Sequence, residues 1–304
     1  MTSLYEKLSR AGGPARRATA MTLIDGMRGR TDYGTNVAYM TLCEDVIAER
    51  GIANSAYENG LPRWEFTAFS SAMLLRSVPR VSGFLNAIGR APESSGTIID
   101  AGCGSTAILS VGAAIMHPKS QVVAYEINGP SAACARGVVE LLGLDDRIDI
   151  RVADALTADL PQADIGVTET FCSGLTTELG HKLTAALAGV SRDVIPATVM
   201  ISATDEPPMS GARWQHAAAV DLTRENHMLT GHLLSTGNGS RDVSVYASYY
   251  DGYGDEVIAQ LRANNLTNSV TIGSVPVAHA GVTIGFSYEM GAELHETPAS
   301  LWTE

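Results

Sequence analysis

The sequence predicts an α/β fold in which a parallel sheet follows a helical N-terminal segment and precedes a mostly antiparallel β region. Three observations support this prediction. A β-branched run at residues 97–99 leads into a glycine turn and then into an apolar segment of helical character. Apolar β-like runs and helical segments alternate from there to about residue 201, as they do in parallel sheets. Beyond residue 205, short β-like runs are separated by Gly, Asn and Ser, a pattern typical of antiparallel strands joined by turns.

We therefore expect three regions. Residues 1–95 form an N-terminal helical segment with a lid, residues 96–204 the parallel-sheet domain, and residues 205–304 a β-rich region for substrate binding or oligomerisation. The first residues of the chain are polar and are interrupted at Pro14, so a mobile lead-in is expected there.

Composition restricts the class of protein. The chain has 304 residues, 45% hydrophobic and 18% charged, which is enough to bury a sizeable core. Its formal net charge of −12 disfavours a nucleic-acid partner, because a phosphate backbone attracts basic surfaces. No apolar run approaches the roughly 18 residues of a membrane helix, and the cysteines and histidines show no metal-ligand or disulfide spacing. We therefore expect a cytoplasmic protein with no metal ion and no nucleic-acid or membrane partner.

The glycine turn has features of a nucleotide-binding βαβ unit. Asp100 ends the strand, and Gly102 and Gly104 open a tight turn with a helix behind it. The next strand ends at Glu126, about twenty residues past the glycines, where a carboxylate can accept hydrogen bonds from two ribose hydroxyls. Ala107 stands where a dinucleotide fingerprint carries its third glycine, which weighs against a nicotinamide-dependent enzyme.

Acidic residues also end the later strands. A third strand leads to Asp154, a possible acceptor for an adenine amino group, and a fourth at Asp164–Thr168 leads to Glu169. A fifth strand is expected at Thr198–Ile201. Because parallel strands end at one edge of a sheet, these carboxylates and the two before them should share the rim where ligands bind.

Two further segments concentrate charge. Residues 21–40 combine a helical pattern with glycines, and we interpret them as a lid in which Arg28 or Arg30 meets a cofactor carboxylate. A solvated helix junction explains the same charges about equally well.

The segment ETFCSGLTTE runs from Glu169 to Glu178, and a chain that doubles back there could present both carboxylates to a guanidinium. A strand-end residue followed by a helix N-terminal glutamate is the plainer explanation of this spacing.

Taken together, these segments resemble the arginine methyltransferase family, commonly protein arginine methyltransferases, which has a Rossmann-like class I S-adenosylmethionine (SAM) fold. DAGCG followed by AILS resembles its cofactor motif, ETFCSGLTTE its double-glutamate loop, LIDGMRGRTDY its N-terminal segment and LHETPASLW its Thr-His-Trp loop. The resemblance implies SAM as the cofactor. The residues expected to hold it are Arg28, Arg30, Asp100, Gly102, Gly104, Glu126 and Asp154. The expected catalytic and substrate-binding residues are Glu169, Glu178, Asp25, Tyr33 and Trp302.

The sequence departs from the family pattern in the acceptor region. Thr170 replaces the aromatic residue that usually follows the first glutamate, and Leu301 replaces the histidine before Trp302. The chain also stops just beyond Trp302, so we expect a partial C-terminal barrel rather than a full one. These departures favour a shortened relative that methylates a small, cationic guanidino compound such as free arginine in a biosynthetic pathway. A homodimer is a separate expectation, because the same departures disfavour the ring dimer that is usual in the family.

Three alternatives remain open. The first is a C- or O-methyltransferase of a small natural-product intermediate, with Glu169 as general base. The second is a nicotinamide-dependent oxidoreductase built on the same βαβ unit. The third is a protein that binds SAM without catalysis, which ligand binding without turnover would reveal.

Overall fold

The computed structural model describes residues 2–29, 33–52, 68, 72, 74–171, 180–207, 212–224, 228–251, 270–290 and 299–304. The chain divides into two units. One comprises residues 1–169 and 187–195, and the other comprises residues 170–186 and 196–304. The N-terminal helices and the parallel sheet belong to the first unit, and the expected boundaries after residues 95 and 204 remain predictions.

Helices precede the sheet in the first unit, as predicted. Among the described residues they are α1 (Leu4–Arg10), α2 (Gly13–Arg28), α3 (Tyr33–Glu49) and α4 (Val78–Arg90), and a 3-10 turn at Leu74–Arg76 precedes α4. Residues buried on these helices include Ile24, Met27, Leu42 and Phe84. No helix within the described ranges is both long enough and apolar enough to cross a membrane.

The predicted mobile lead-in is wrong, because α1 and α2 occupy that segment. Ser3 and Glu6 form a capping box, in which each side chain accepts a hydrogen bond from the other's backbone N–H at 3.2 Å. Pro14 lies in the first turn of α2, where a missing N–H costs no helical hydrogen bond. Arg16 Nε then donates to the carbonyl oxygen of Leu8 at 2.9 Å and ties α2 to α1. The polar segment is therefore helical from its capping residue onward.

A five-stranded parallel sheet forms the centre of the first unit. Its strands are β1 (Thr97–Ala101), β2 (Gln121–Glu126), β3 (Ile148–Val152), β4 (Ala163–Thr168) and β5 (Ser191–Ile195), in the order β3-β2-β1-β4-β5. Helix α5 (Ile108–Met116) connects β1 to β2, and α6 (Gly129–Leu141) connects β2 to β3. The strand order reverses direction between β1 and β4, and ligands bind at such a switch point in open α/β sheets. The predicted α/β fold class is confirmed.

The fifth parallel strand is not where the sequence pattern placed it. β5 pairs with β4, with Ile195 opposite Val167, whereas the expected Thr198–Ile201 run lies in β6 (Thr198–Thr204) of the second unit. Pro196 separates the two runs and has no N–H to donate to a ladder, so the parallel strand ends before it. The pattern correctly indicated a strand but assigned it to the wrong sheet.

The second unit is mostly antiparallel, as predicted. Within the described residues it contains a four-stranded sheet in the order β10-β9-β6-β7 and a three-stranded sheet in the order β12-β11-β8. The remaining elements are α7 (Gly180–Ala188), β7 (Gln215–Asp221), β8 (Met228–Leu234), β9 (Gly239–Tyr250), β10 (Val270–Val277), β11 (Thr283–Glu289) and β12 (Ser300–Thr303). Its core includes the fully buried Phe286 and Val245.

Candidate functional site

A cavity lies in the first unit at the carboxyl ends of β1 and β4. Its polar lining comes from the end of β1, the glycine turn, the first turn of α4 and the end of β4, with Leu75, Phe84 and Leu109 among its apolar walls. Its polar lining residues are Arg80, Asp100, Gly102, Gly104, Thr106 and Glu169. The cavity therefore brings together two of the predicted rim carboxylates and the predicted glycine turn.

The glycine turn is held against β2 by its backbone. The N–H groups of Gly102 and Cys103 both donate to the carbonyl oxygen of Tyr125, at 2.9 and 3.0 Å. Gly102 and Gly104 have φ values of +83° and +62°, in the left-handed region that glycine adopts without a steric cost. The turn can therefore bring its backbone close to a ligand.

Ala107 also lies in the left-handed region, with φ 45° and ψ 31°. It is fully buried and precedes α5, at the position where the sequence lacks the third glycine. A non-glycine residue in this conformation costs roughly 1–2 kcal/mol. The turn is therefore strained at Ala107.

We expect Ala107→Gly to leave the free energy of unfolding within about 1 kcal/mol of wild type, because relief of strain offsets the lost methyl burial and the greater freedom of the unfolded chain. Ala107→Val should destabilise the protein by about 2–4 kcal/mol, because a β-branched side chain tolerates this backbone poorly and overpacks a buried site. Urea unfolding measures both differences. Equal stability of the two variants would show that the left-handed conformation at residue 107 is not retained.

Asp100 is buried at the end of β1, with 1% of its surface exposed. Its Oδ2 accepts a hydrogen bond from Ser110 Oγ at 2.5 Å, whereas its Oδ1 has no hydrogen-bond partner among the described residues. Burial raises the pKa of this carboxyl to about 7, and the nearby Glu126 carboxylate also raises it. A buried, unsatisfied acceptor is rare in native proteins. The site therefore fits a ligand that brings a hydrogen-bond donor or a cation.

Glu126 is buried at the end of β2 and holds the turn. Its Oε2 accepts from the Gly104 N–H at 2.9 Å, and its Oε1 accepts from the Asn128 N–H at 2.8 Å. Burial raises the pKa of Glu126, and the backbone hydrogen bonds oppose that rise. Each carboxylate oxygen has two lone pairs, so the group can also accept from ligand hydroxyls.

Glu126, Asp154 and Arg28 do not line the cavity. Asp154 follows β3 and its Oδ1 accepts from the Leu156 N–H at 2.9 Å. Arg28 ends α2, and its Nε donates to Asn86 Oδ1 on α4 at 3.0 Å. Arg30 lies outside the described residues. Their proposed contacts with a cofactor remain predictions.

Glu169 ends the β4 segment and pairs with Arg80 inside the cavity. Both side chains are largely buried, with 14% of Glu169 and 19% of Arg80 exposed. Arg80 was not predicted from the sequence. One signal was present: Arg80 lies in the first turn of α4, where the helix dipole disfavours a cation and where another interaction must compensate.

The predicted partner of Glu169, Glu178, lies outside the described residues. The residues that flank its segment are close together in the second unit. A Cβ on Gly180 would lie 2.4 Å from both the Thr170 carbonyl oxygen and the Phe171 ring. Phe171 and Gly180 therefore lie close together, and the double-glutamate hypothesis remains a prediction.

The structure also places the three remaining residues that the sequence predicted for the acceptor site. Asp25 is exposed on α2, and Tyr33 is exposed at the start of α3. Trp302 lies on β12 of the second unit, where a Cβ on Gly285 would come within 2.2 Å of the indole. Asp25 and Tyr33 do not line the cavity of the first unit, and the roles proposed for all three remain predictions.

Three solved structures share this fold at low sequence identity. The Trypanosoma brucei PRMT1 enzyme-prozyme heterotetrameric complex with AdoHcy is 14% identical, with TM-score 0.57 over 71% of this chain and 85% of that chain. PRMT6 is 12% identical, with TM-score 0.58 over 76% of this chain and 98% of that one. PRMT6-SAH is 12% identical, with TM-score 0.55 over 77% and 99%. No family model and no curated protein sequence matches the chain.

Proposed function

We propose that the chain is a SAM-dependent methyltransferase that N-methylates the guanidino group of a small molecule such as L-arginine. The observation that carries the cofactor assignment is the buried, unsatisfied Oδ1 of Asp100 beside a glycine turn, which suits the α-ammonium group of SAM. The AdoHcy and SAH named for two structures of the same fold support the assignment.

In this proposal the cofactor is held by residues of the parallel-sheet rim. Asp100 accepts from the ammonium group, Glu126 from the ribose hydroxyls and Asp154 from the adenine amino group, while Arg28 or Arg30 pairs with the cofactor carboxylate. When bound, SAM supplies a methyl group on a positively charged sulfur. The chain's contribution is alignment of the acceptor nitrogen with that methyl group, since an in-line displacement depends largely on orientation.

The acceptor is held by Glu169 together with Glu178. A guanidinium keeps its proton in water, so its attacking nitrogen must be made more electron-rich within the site. Two carboxylates draw the positive charge toward the nitrogens they bind and away from the attacking one. One carboxylate, or a water beside it, then takes the proton that the methylated nitrogen releases. Asp25 is assigned to orient this pair.

One observation favours a second candidate, a C- or O-methyltransferase of a small natural-product intermediate. Arg80 already neutralises Glu169, so the Glu169 carboxylate does not present a free negative charge to a cationic acceptor. In this alternative Glu169 is the general base and its acceptor is neutral or anionic. Incubation with SAM and a panel of guanidino, amino and hydroxyl compounds, followed by mass spectrometry, distinguishes the two. Methylation confined to neutral or anionic compounds would contradict the guanidino proposal.

The cofactor assignment predicts that Glu126→Gln weakens SAM binding about 10- to 100-fold, or about 1–3 kcal/mol. An amide has only one acceptor oxygen, so the variant cannot accept from both the Gly104 and Asn128 N–H groups and also from a ribose hydroxyl. Titration calorimetry with SAM measures the change.

The matched control is Glu140→Gln, which removes an equal charge from an exposed surface pair with Arg50 and should leave SAM affinity unchanged. Binding of NAD in place of SAM by the wild type, or equal SAM affinity in the two variants, would contradict the assignment.

A further inference from the structure

We propose that Arg80 determines acceptor specificity by occupying the Glu169 carboxylate, so that a guanidino acceptor binds only by displacing it. This inference rests on the proposed function, because it takes Glu169 as the carboxylate that receives the acceptor. The new element is that the Arg80 guanidinium competes with the acceptor for Glu169, which the double-glutamate hypothesis does not include.

The first support is the location of the pair. The Arg80 guanidinium contacts Glu169 Oε1, and both residues line the cavity that contains the glycine turn and Asp100. Both side chains are more than four-fifths buried, unlike the exposed pairs such as Arg17–Asp146 and Lys119–Glu93. The pair therefore belongs to the cavity and not to the charged surface.

The second support is the cost of placing Arg80 there. A cation in the first turn of α4 is disfavoured by the helix dipole, and a largely buried guanidinium loses hydration. Helix formation therefore gives no reason for an arginine at this position. Its pairing with Glu169 compensates both costs, and it also supplies the counter-charge that a buried carboxylate needs when no acceptor is bound.

The competition has a chemical consequence for specificity. A guanidino acceptor offers the same planar fork of N–H donors as Arg80, so it can take the place of Arg80 beside the carboxylate. A primary ammonium is a compact point charge without that fork, so it replaces Arg80 less well. Arg80 should therefore exclude amines while admitting guanidines at reduced affinity.

The test uses Arg80→Gln, Arg80→Lys and the control Arg76→Gln, with L-arginine and L-lysine as probes. Arg76 is exposed on the 3-10 turn before α4, so its replacement removes the same charge outside the cavity. Relative to wild type, we expect Arg80→Gln to lower the KM for L-arginine at least tenfold and Arg80→Lys to lower it by a smaller factor. We also expect L-lysine to become a competitive inhibitor in Arg80→Gln. Arg76→Gln should match wild type, and the KM for SAM should not change in any variant.

An unchanged or raised KM for L-arginine in variants that retain SAM affinity would overturn the proposal, because Arg80 would then only hold Glu169 in place. If Arg80→Gln does not fold, the lower KM expected of Arg80→Lys decides the question by the same criterion. If the wild type methylates L-arginine and neither Arg80 variant has a lower KM for it, only the role of Arg80 is contradicted. Absence of guanidine methylation by wild type and both variants removes the proposed function and this inference together.

Discussion

Glu169→Gln is expected to reduce methyl transfer to a guanidino acceptor by about 10²- to 10³-fold while SAM binding persists. The amide keeps the shape of the side chain but removes the charge that a buried cation requires, and breaking one partner of a buried pair costs about 3–5 kcal/mol. Glu169 belongs to such a buried pair, because only 14% of its side chain is exposed. Single-turnover transfer from SAM to L-arginine measures the loss, and calorimetry with SAM shows whether the cofactor site is intact.

The control for this variant is Glu93→Gln. Glu93 also forms an ion pair, with Lys119, but 71% of its side chain is exposed and its replacement should change neither transfer nor SAM binding. The double variant Arg80→Gln with Glu169→Gln distinguishes a loss of stability from a loss of catalysis, because neither position then carries an unpaired charge. We expect it to regain stability lost by Glu169→Gln and to remain inactive. Recovery of transfer in the double variant would contradict a direct role for Glu169.

Glu178 distinguishes the two candidate functions. If both glutamates hold a guanidinium, Glu178→Gln should reduce transfer as severely as Glu169→Gln, and removing both should cost little more than removing one. If Glu169 is a general base for a neutral acceptor, only Glu169→Gln should reduce transfer severely. A nearly wild-type Glu178→Gln would therefore favour the second candidate.

The strand and glycine turn of the candidate site could be predicted because their signals are local. The β-branched strand, the acidic residue at its end and the two glycines of the turn lie within a few consecutive residues, and the structure places them as expected. The capping box of Ser3 and Glu6 was equally local, but the polar composition around it led to the wrong expectation of a mobile segment.

The Arg80–Glu169 pair depends on a contact between segments distant in sequence. Nothing near Arg80 specifies that its guanidinium meets Glu169, since that pairing requires α4 to pack beside the end of β4. The fifth parallel strand was misassigned for the same reason, because strand pairing is a contact between distant segments. Two β-prone runs flank Pro196, and only the tertiary pairing of Ile195 with Val167 decides which of them joins the parallel sheet.

SAM affinity is expected to increase by up to about tenfold per pH unit as the pH rises from 5.5 toward 7, and Asp100→Asn should abolish this dependence. Burial raises the pKa of Asp100 to about 7, so the carboxyl of the ligand-free protein is mostly neutral below that pH. An ammonium group binds the ionised form, so binding at lower pH must release a proton. The ammonium itself remains protonated to about pH 7.7, so it does not oppose the rise over this range.

The stability of the ligand-free protein should depend on pH in the opposite direction. The pKa of Asp100 is about 7 in the folded protein against an ordinary value of 3.8, so the folded state holds more protons between these values. The free energy of unfolding contributed by this group therefore falls as the pH rises from about 4 to about 7. Asp100→Asn should show a flatter stability profile in urea unfolding across that window.

The two measurements together test Asp100 as the ammonium acceptor. Asp100→Asn keeps an oxygen that can accept from Ser110, so its turn should fold, but it should bind SAM about 10²-fold more weakly near pH 7.5. Asp149→Asn, which removes a carboxylate that is 60% exposed on β3, should keep both the affinity and its pH dependence. If SAM affinity rises with pH equally in wild type and Asp100→Asn, another group is titrating. The unsatisfied oxygen of Asp100 would then require a different ligand.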